Sequence, residues 1–168
     1  MKIAITGAAT LAADQITSCD DVPMGRLSEE KRSLIATLRQ SNPAYEFLDP
    51  TVLYALFTAK EAVRQAGWSG QRFGVNIGSS RGATELFESH YAHFLSEGYC
   101  KTLASPTTTL GNVSTWVAQY FATQGFALSH SITCSTALHG IANAVAWLQS
   151  GMEERFLVGG TEAPLTPF

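Results

Sequence analysis

The chain has 168 residues, enough for one domain with its own hydrophobic core. Hydrophobic residues make up 45% and charged residues 15%, with a net charge of -3; this leaves no basic footprint for nucleic acid, and no apolar run reaches membrane-spanning length. Soluble domains typically carry about 25% charged residues, so the shortage of charge points to surface covered by a partner subunit or by further chain.

Three cysteines, Cys19, Cys100 and Cys134, form no close pair. An odd count without a CxxC argues against a metal site and a disulfide framework. A reducing cytoplasm fits best. Met1-Lys2 followed by Ile3 to Ala13 has the outline of a short signal peptide, but Thr6, Gly7 and Thr10 break the apolar stretch. The reading adopted is a buried first strand over Lys2 to Thr6.

Asp14 to Gly25 is polar and reads as loop. Ser28 caps a helix running to about Gln40, with Glu29 and Glu30 in its first turn. Ser41-Asn42-Pro43 stops it. Asp49 is a good N-cap for the next helix and Pro50 suits its first position. Val52, Ala55, Leu56, Ala59, Ala62, Val63 and Ala66 form its apolar stripe, and Gly67 fits the C′ site. Arg72 to Ile77 reads as the second strand. Gly78 to Gly82 is a turn into a surface helix, Thr84 to Ser96. Leu110 to Thr123 is another helix, ended by Gly125. Phe126 to Thr133 is the third strand, and Ser135 to Ser150 a helix apolar nearly all round, hence buried on several sides. Arg155 to Gly159 is the fourth strand. Strands alternating with helices imply an α/β fold with a largely parallel sheet.

Cys134 is the residue most suggestive of chemistry. It stands where the third strand meets the following helix, near free backbone N–H groups and the positive end of the helix dipole, both of which favour a thiolate. Such a turn holds a nucleophile in one pose and offers N–H donors to an oxyanion. The competing reading is a buried structural thiol. Cys19 and Cys100 have no comparable setting. His139 is five residues on, about 140° round the helix, and does not reach the sulfur easily; it reads as structural. His90 and His93 are a weak i, i+3 pair without a third ligand and read as solvated. His130 reads as packing or interface. Glu162 reads as a carboxylate bonding local backbone, with catalysis as the alternative. Thr6-Gly7-Ala8-Ala9 lacks the later glycines of a dinucleotide fingerprint, Gly78 to Gly82 is no phosphate loop, and the sequon Asn112-Val113-Ser114 falls inside a helix.

Ser105-Pro106, the helix Leu110 to Thr123, Thr133-Cys134-Ser135, His139-Gly140, Ser150-Gly151, Gly159-Gly160-Thr161-Glu162-Ala163 and Leu165-Thr166-Pro167 occur in that order. With Asp49 to Gly82 and Lys2 to Gly7, they give a chain that resembles the N-terminal half of a β-ketoacyl-acyl-carrier-protein synthase of the thiolase superfamily. Residues from about Ala12 to Leu48 match poorly. The resemblance implies a thiolase-like α/β half-repeat, with helices flanking a mainly parallel four-stranded sheet ordered 3-2-1-4. Residues 1–168 then form a partial domain whose C-terminal half is absent.

The resemblance also implies the chemistry. Cys134 takes an acyl group from acyl carrier protein as a thioester, its own N–H serving as an oxyanion donor. Malonyl carrier protein is then decarboxylated and its carbanion forms the new C–C bond, in fatty acid or polyketide biosynthesis. No cofactor or metal is implied. The turn holding Arg81 lines the acyl pocket; a cation there opposes burial of a hydrocarbon tail, so either the loop is displaced or the pocket ends in something polar. The family's two catalytic histidines and lysine have no counterpart in residues 1–168, and this part alone is expected to be inactive in condensation. The implied partners are acyl carrier protein and either an identical subunit, paired through strand 126–133, or a ketosynthase-like subunit. The alternative is a non-catalytic chain-length or scaffold subunit, toward which Arg81 leans, while Cys134 favours the enzyme. A thiolase-fold acyltransferase using coenzyme A thioesters is a third reading, less favoured by Gly-Gly-Thr-Glu.

Overall fold

A computed structural model describes residues 2–19 and 21–166, with only the backbone of Cys19. Met1, Pro167 and the Cys19 side chain, which figured in the sequence reading, lie outside the described residues.

Local signals placed most helices. In α1, Glu29–Gln40, the Ser28 hydroxyl accepts the Lys31 N–H (3.4 Å), and Ile35 and Leu38 turn into the core. A 3-10 turn, Pro43–Tyr45, leads to α2, Pro50–Ala66. Asp49 Oδ1 accepts the Thr51 N–H (2.8 Å), and Gly67 ends the helix in a left-handed conformation. Val52, Leu53, Ala55, Leu56, Ala59 and Val63 are buried on its inner face. A fully buried leucine such as Leu53 or Leu56 contributes about 1.5–3 kcal/mol.

The first departure is at the N-terminus. The stretch expected to be loop contains a hairpin, β1 (Gln15–Cys19) antiparallel to β2 (Val22–Arg26). Both strands are mostly exposed, so no buried face imprinted an alternation on the sequence. Asp14 tethers it: its carboxylate accepts the Ser28 N–H (2.6 Å) and pairs with Lys31 (3.0 Å).

The rest runs β3 (Gly74–Gly78), α3 (Thr84–Glu97), α4 (Ala104–Thr107), α5 (Asn112–Tyr120), β4 (Ala127–Leu128), α6 (Thr136–Gln149) and β5 (Phe156–Gly160). Among the described residues the larger sheet is parallel, with three strands in the order β4-β3-β5 rather than four in the order 3-2-1-4. β5 pairs directly with β3, from Gly74 opposite Phe156 to Gly78 opposite Gly160, which occupies the edge that Lys2–Thr6 was expected to fill. That segment is exposed and outside the sheet. It is pinned further on, where Gly7 lies so close to α2 that a Cβ would overlap the Ala62 carbonyl. The Ala8 N–H donates to Gln65 Oε1 (3.2 Å).

Two more expectations are revised. The third strand shrinks from Phe126–Thr133 to Ala127–Leu128. Beyond Leu128 the chain leaves the ladder, because the Ser129 hydroxyl accepts the Ser114 N–H (3.0 Å) and Thr133 turns left-handed (φ 46°). Helix α6 buries only Thr136, Gly140 and Ala144, and leaves Leu138 and Ile141 exposed. No helix among the described residues is long and apolar enough to cross a membrane.

The N-terminal ends of the strands are joined by one carboxylate. Glu153 is 5% exposed; its oxygens accept Arg72 Nε (2.9 Å) and Nη2 (2.7 Å), and Oε1 also accepts the Phe126 N–H (3.1 Å). The Arg72 guanidinium holds its pKa below the usual carboxylate range, against the opposing effect of burial. A depressed folded-state pKa gives stability that is present above the unfolded value and lost as pH falls through the folded one. Glu153→Gln is therefore expected to lower stability at pH 7 by about 1–2 kcal/mol, discounted because Arg72 is largely solvated. Urea unfolding checks this; the two proteins should converge as pH drops below the carboxylate range.

Candidate active site

Cys134 sits at the C-terminal end of the sheet, one residue before the N-cap of α6, and it is exposed rather than enclosed in the turn. The turn carrying it is closed by several bonds. The Ser135 and Thr136 N–H groups donate to Ile132 O and Thr133 O (3.2 Å each). The Thr136 hydroxyl accepts the Ile132 N–H (2.9 Å) and donates to Thr133 O (2.6 Å). The Ser135 hydroxyl donates to Ile132 O (2.9 Å). A left-handed, β-branched Thr133 costs about 1–3 kcal/mol and persists only because these bonds over-determine it.

The turn rests on β3 through Gly78. A Cβ at Gly78 would overlap Thr136 Cγ2 and crowd the His130 carbonyl, so the approach needs a residue without a side chain. His130 faces inward. Its Nδ1 lies 3.1 Å from Asn76 Nδ2 and its Nε2 2.9 Å from Thr136 O, while its carbonyl accepts the Ser79 N–H (3.2 Å). Beneath it, the fully buried Ser114 hydroxyl accepts the Ile77 N–H (2.9 Å) and lies 2.7 Å from Leu128 O.

A second turn, residues 79–82, borders the site. Glu162 clamps it: the Ser79 hydroxyl donates to Oε2 (3.1 Å) and the Ser80 N–H donates to Oε1. Ser79 in turn accepts the Gly82 N–H (2.9 Å), and Ser131 Oγ donates to Ser80 O (3.3 Å). Glu162 thus accepts from a distant turn rather than from the local backbone that the sequence suggested. Arg81 is exposed, its guanidinium 3.4 Å from Pro164 O. His139 is exposed and donates to Ser135 O (3.1 Å). His90 lies 3.0 Å from the Thr107 hydroxyl, and His93 stacks edge-on against Tyr99. Cys100 is exposed on a different segment, its thiol donating to His90 O (3.3 Å).

The structure thus gathers Cys134, His130, Glu162 and the 79–82 turn at one end of the sheet, and leaves His90, His93 and Cys100 elsewhere. Asn76, Thr136 and Ser114 were not singled out from sequence. The available signal was polarity inside apolar runs, as in Val75-Asn76-Ile77.

A parallel α/β sheet with a cysteine on the turn that leads into α6 is compatible with a thiolase-like fold. Residues 2–168 match the family model described as the β-ketoacyl synthase N-terminal domain, and the chain belongs to that family. It is 31% identical over 129 residues to nodulation protein E of Rhizobium meliloti (strain 1021), covering 70% of this chain and 31% of that protein. It is 27% identical over 165 residues to 3-oxoacyl-acyl-carrier-protein synthase 2 of Staphylococcus aureus, covering 91% of this chain and 40% of the relative. The chain therefore spans 31% to 40% of the length of these relatives. Among solved structures, a type II polyketide ketosynthase in complex with its acyl carrier protein superposes with TM-score 0.63 at 22% identity, over 70% of this chain and 32% of that one. The ishigamide ketosynthase/chain length factor gives 0.62 at 21%, over 70% and 31%. Both share its fold.

Gly78→Ala is expected to destabilise the protein by about 1–3 kcal/mol, because the new methyl meets backbone and a β-branched side chain that cannot both withdraw. Thermal unfolding of the variant beside wild type measures it.

Proposed function

We propose that this chain is the nucleophile-bearing N-terminal part of a β-ketoacyl-acyl-carrier-protein synthase. The carrying observation is Cys134, solvent-accessible on a turn fixed by Thr136 and flanked by the N-terminus of α6. The sulfur attacks the carbonyl carbon of an acyl thioester. The carrier's C–S bond breaks, the carrier leaves as its thiol with the proton from Cys134, and the acyl group remains on Cys134. The Cys134 N–H, ahead of the positive end of α6, is the proposed oxyanion donor. In the second half-reaction the malonyl group loses CO2. The resulting carbanion attacks the acyl carbon, the C–S bond to Cys134 breaks and the sulfur leaves as a thiolate that takes a proton from water, leaving a β-ketoacyl thioester on the carrier. Among the described residues no histidine or lysine is hydrogen-bonded to the sulfur for that step, so this part alone is expected to accept an acyl group but not to condense.

Acyl carrier protein is the proposed donor. The similarity to a 3-oxoacyl-acyl-carrier-protein synthase and to a ketosynthase solved with its carrier supports it. We further propose a cytoplasmic setting and a subunit contact along the β4 edge, as a homodimer or with a ketosynthase-like subunit. Phe126, Leu128 and Ile132 are exposed there. Arg81, the residue that leans toward a non-catalytic scaffold, is exposed with its guanidinium 3.4 Å from the Pro164 carbonyl, while the accessible Cys134 favours the enzyme.

Incubation with an acyl thioester of N-acetylcysteamine, followed by peptide mass spectrometry, tests the nucleophile. Acyl adduct is expected on Cys134, with Cys19 and Cys100 labelled far less, and it should vanish in Cys134→Ala; equal labelling of all three thiols would sink the assignment. Leu128→Lys should shift the sedimentation behaviour toward monomer if the β4 edge is the subunit contact.

A further inference from the structure

We infer that His130 is a positioning residue for Cys134, acting as a fixed Nε2–H tautomer between the central strand and the nucleophile turn. The inference rests on Cys134 as the acyl acceptor. Thr136 O only accepts, so the 2.9 Å contact requires the proton on His130 Nε2. Nδ1 is then an acceptor, and the Asn76 amide at 3.1 Å supplies the donor. The orientation of that amide is itself fixed: Asn76 Nδ2 also donates to Leu128 O (2.9 Å), and Oδ1 accepts from Asn143 Nδ2 (3.3 Å). Reversing the amide would set its oxygen against the Leu128 carbonyl. Asn76 is fully buried, so each of these bonds replaces water that cannot enter.

The chain of contacts leads to the sulfur. β3 holds Asn76, Asn76 holds the His130 ring, and the ring holds Thr136 at the first residue of α6. The Thr136 hydroxyl then closes the Ile132–Thr133 turn on which Cys134 sits. The His130 carbonyl simultaneously receives the Ser79 N–H, so one residue sets the nucleophile turn and the neighbouring 79–82 turn together. Gly78 makes room for both contacts.

Three variants and one spectrum test this. His130→Gln keeps an N–H donor near Nε2. His130→Leu removes donor and acceptor. Cys134→Ala is the labelling blank. Acylation of Cys134 by the N-acetylcysteamine thioester, and its alkylation by iodoacetamide relative to Cys100, are measured for each. His130→Leu is expected to slow both at Cys134 by about tenfold or more, with Cys100 unchanged, and His130→Gln to restore them to within about threefold of wild type. The imidazole nitrogen-15 shifts of His130 should report a single Nε2–H tautomer. Equal rates in all three His130 proteins, or an Nδ1–H tautomer, would overturn the inference. Should His130→Leu fail to fold, the His130→Gln rates and the tautomer decide. Should wild-type Cys134 take no acyl group, the functional reading falls, and the iodoacetamide ratios still judge the role of His130.

Discussion

The first turn of α6 lies directly against the central strand, and the geometry around Cys134 depends on that approach. It is possible only because position 78 has no side chain. Once helix and strand are that close, the polar groups between them have no access to water and must satisfy one another. The Asn76 amide, the His130 ring, the Thr136 carbonyl and the Ser114 hydroxyl do so. The turn bearing the cysteine thus inherits its rigidity from the middle of the sheet, not from the exposed segment around it.

The pairing of β5 with β3 has a parallel effect on the other side. Its register ends with Gly78 beside Gly160, which delivers Thr161 and Glu162 to the same end of the sheet as Cys134. Thr161 N–H continues the ladder to Gly78 O (3.0 Å), and its hydroxyl donates to Thr51 O (2.8 Å) at the start of α2. Glu162 then secures the 79–82 turn. Strand ends, two turns and the first residues of two helices converge there, which is where parallel α/β sheets place their chemistry.

The sequence disclosed what is local. Ser28, Asp49-Pro50 and Gly67 marked their helices because a cap needs only its neighbours. The start of the helix after Cys134 was legible for the same reason, whereas Glu162 bonds Ser79 and Ser80, far back in the chain. What escaped was non-local. Lys2–Thr6 has strand composition, but the place between the second and fourth strands that it was expected to fill is closed by β5 pairing directly with β3. The β1–β2 hairpin buries too little to leave a periodic trace. The inward turn of His130 could not be seen without Asn76, which is distant in sequence and adjacent in space. The shortened third strand reflects the Ser129 contact with Ser114 across the fold and the left-handed Thr133.

Helix α3 has a different character from the rest. It buries no residue, and Phe87, Tyr91, Phe94 and Leu95 face outward. A few polar pins attach it: Leu86 N–H to Asp49 (3.4 Å), His90 to Thr107, and Thr166 to Glu88 (2.7 Å). A 14-residue helix without an apolar anchor is marginal by itself in water. It is therefore expected to open and close ahead of the sheet, with amide protons that exchange through local fraying sooner than those of the buried β3.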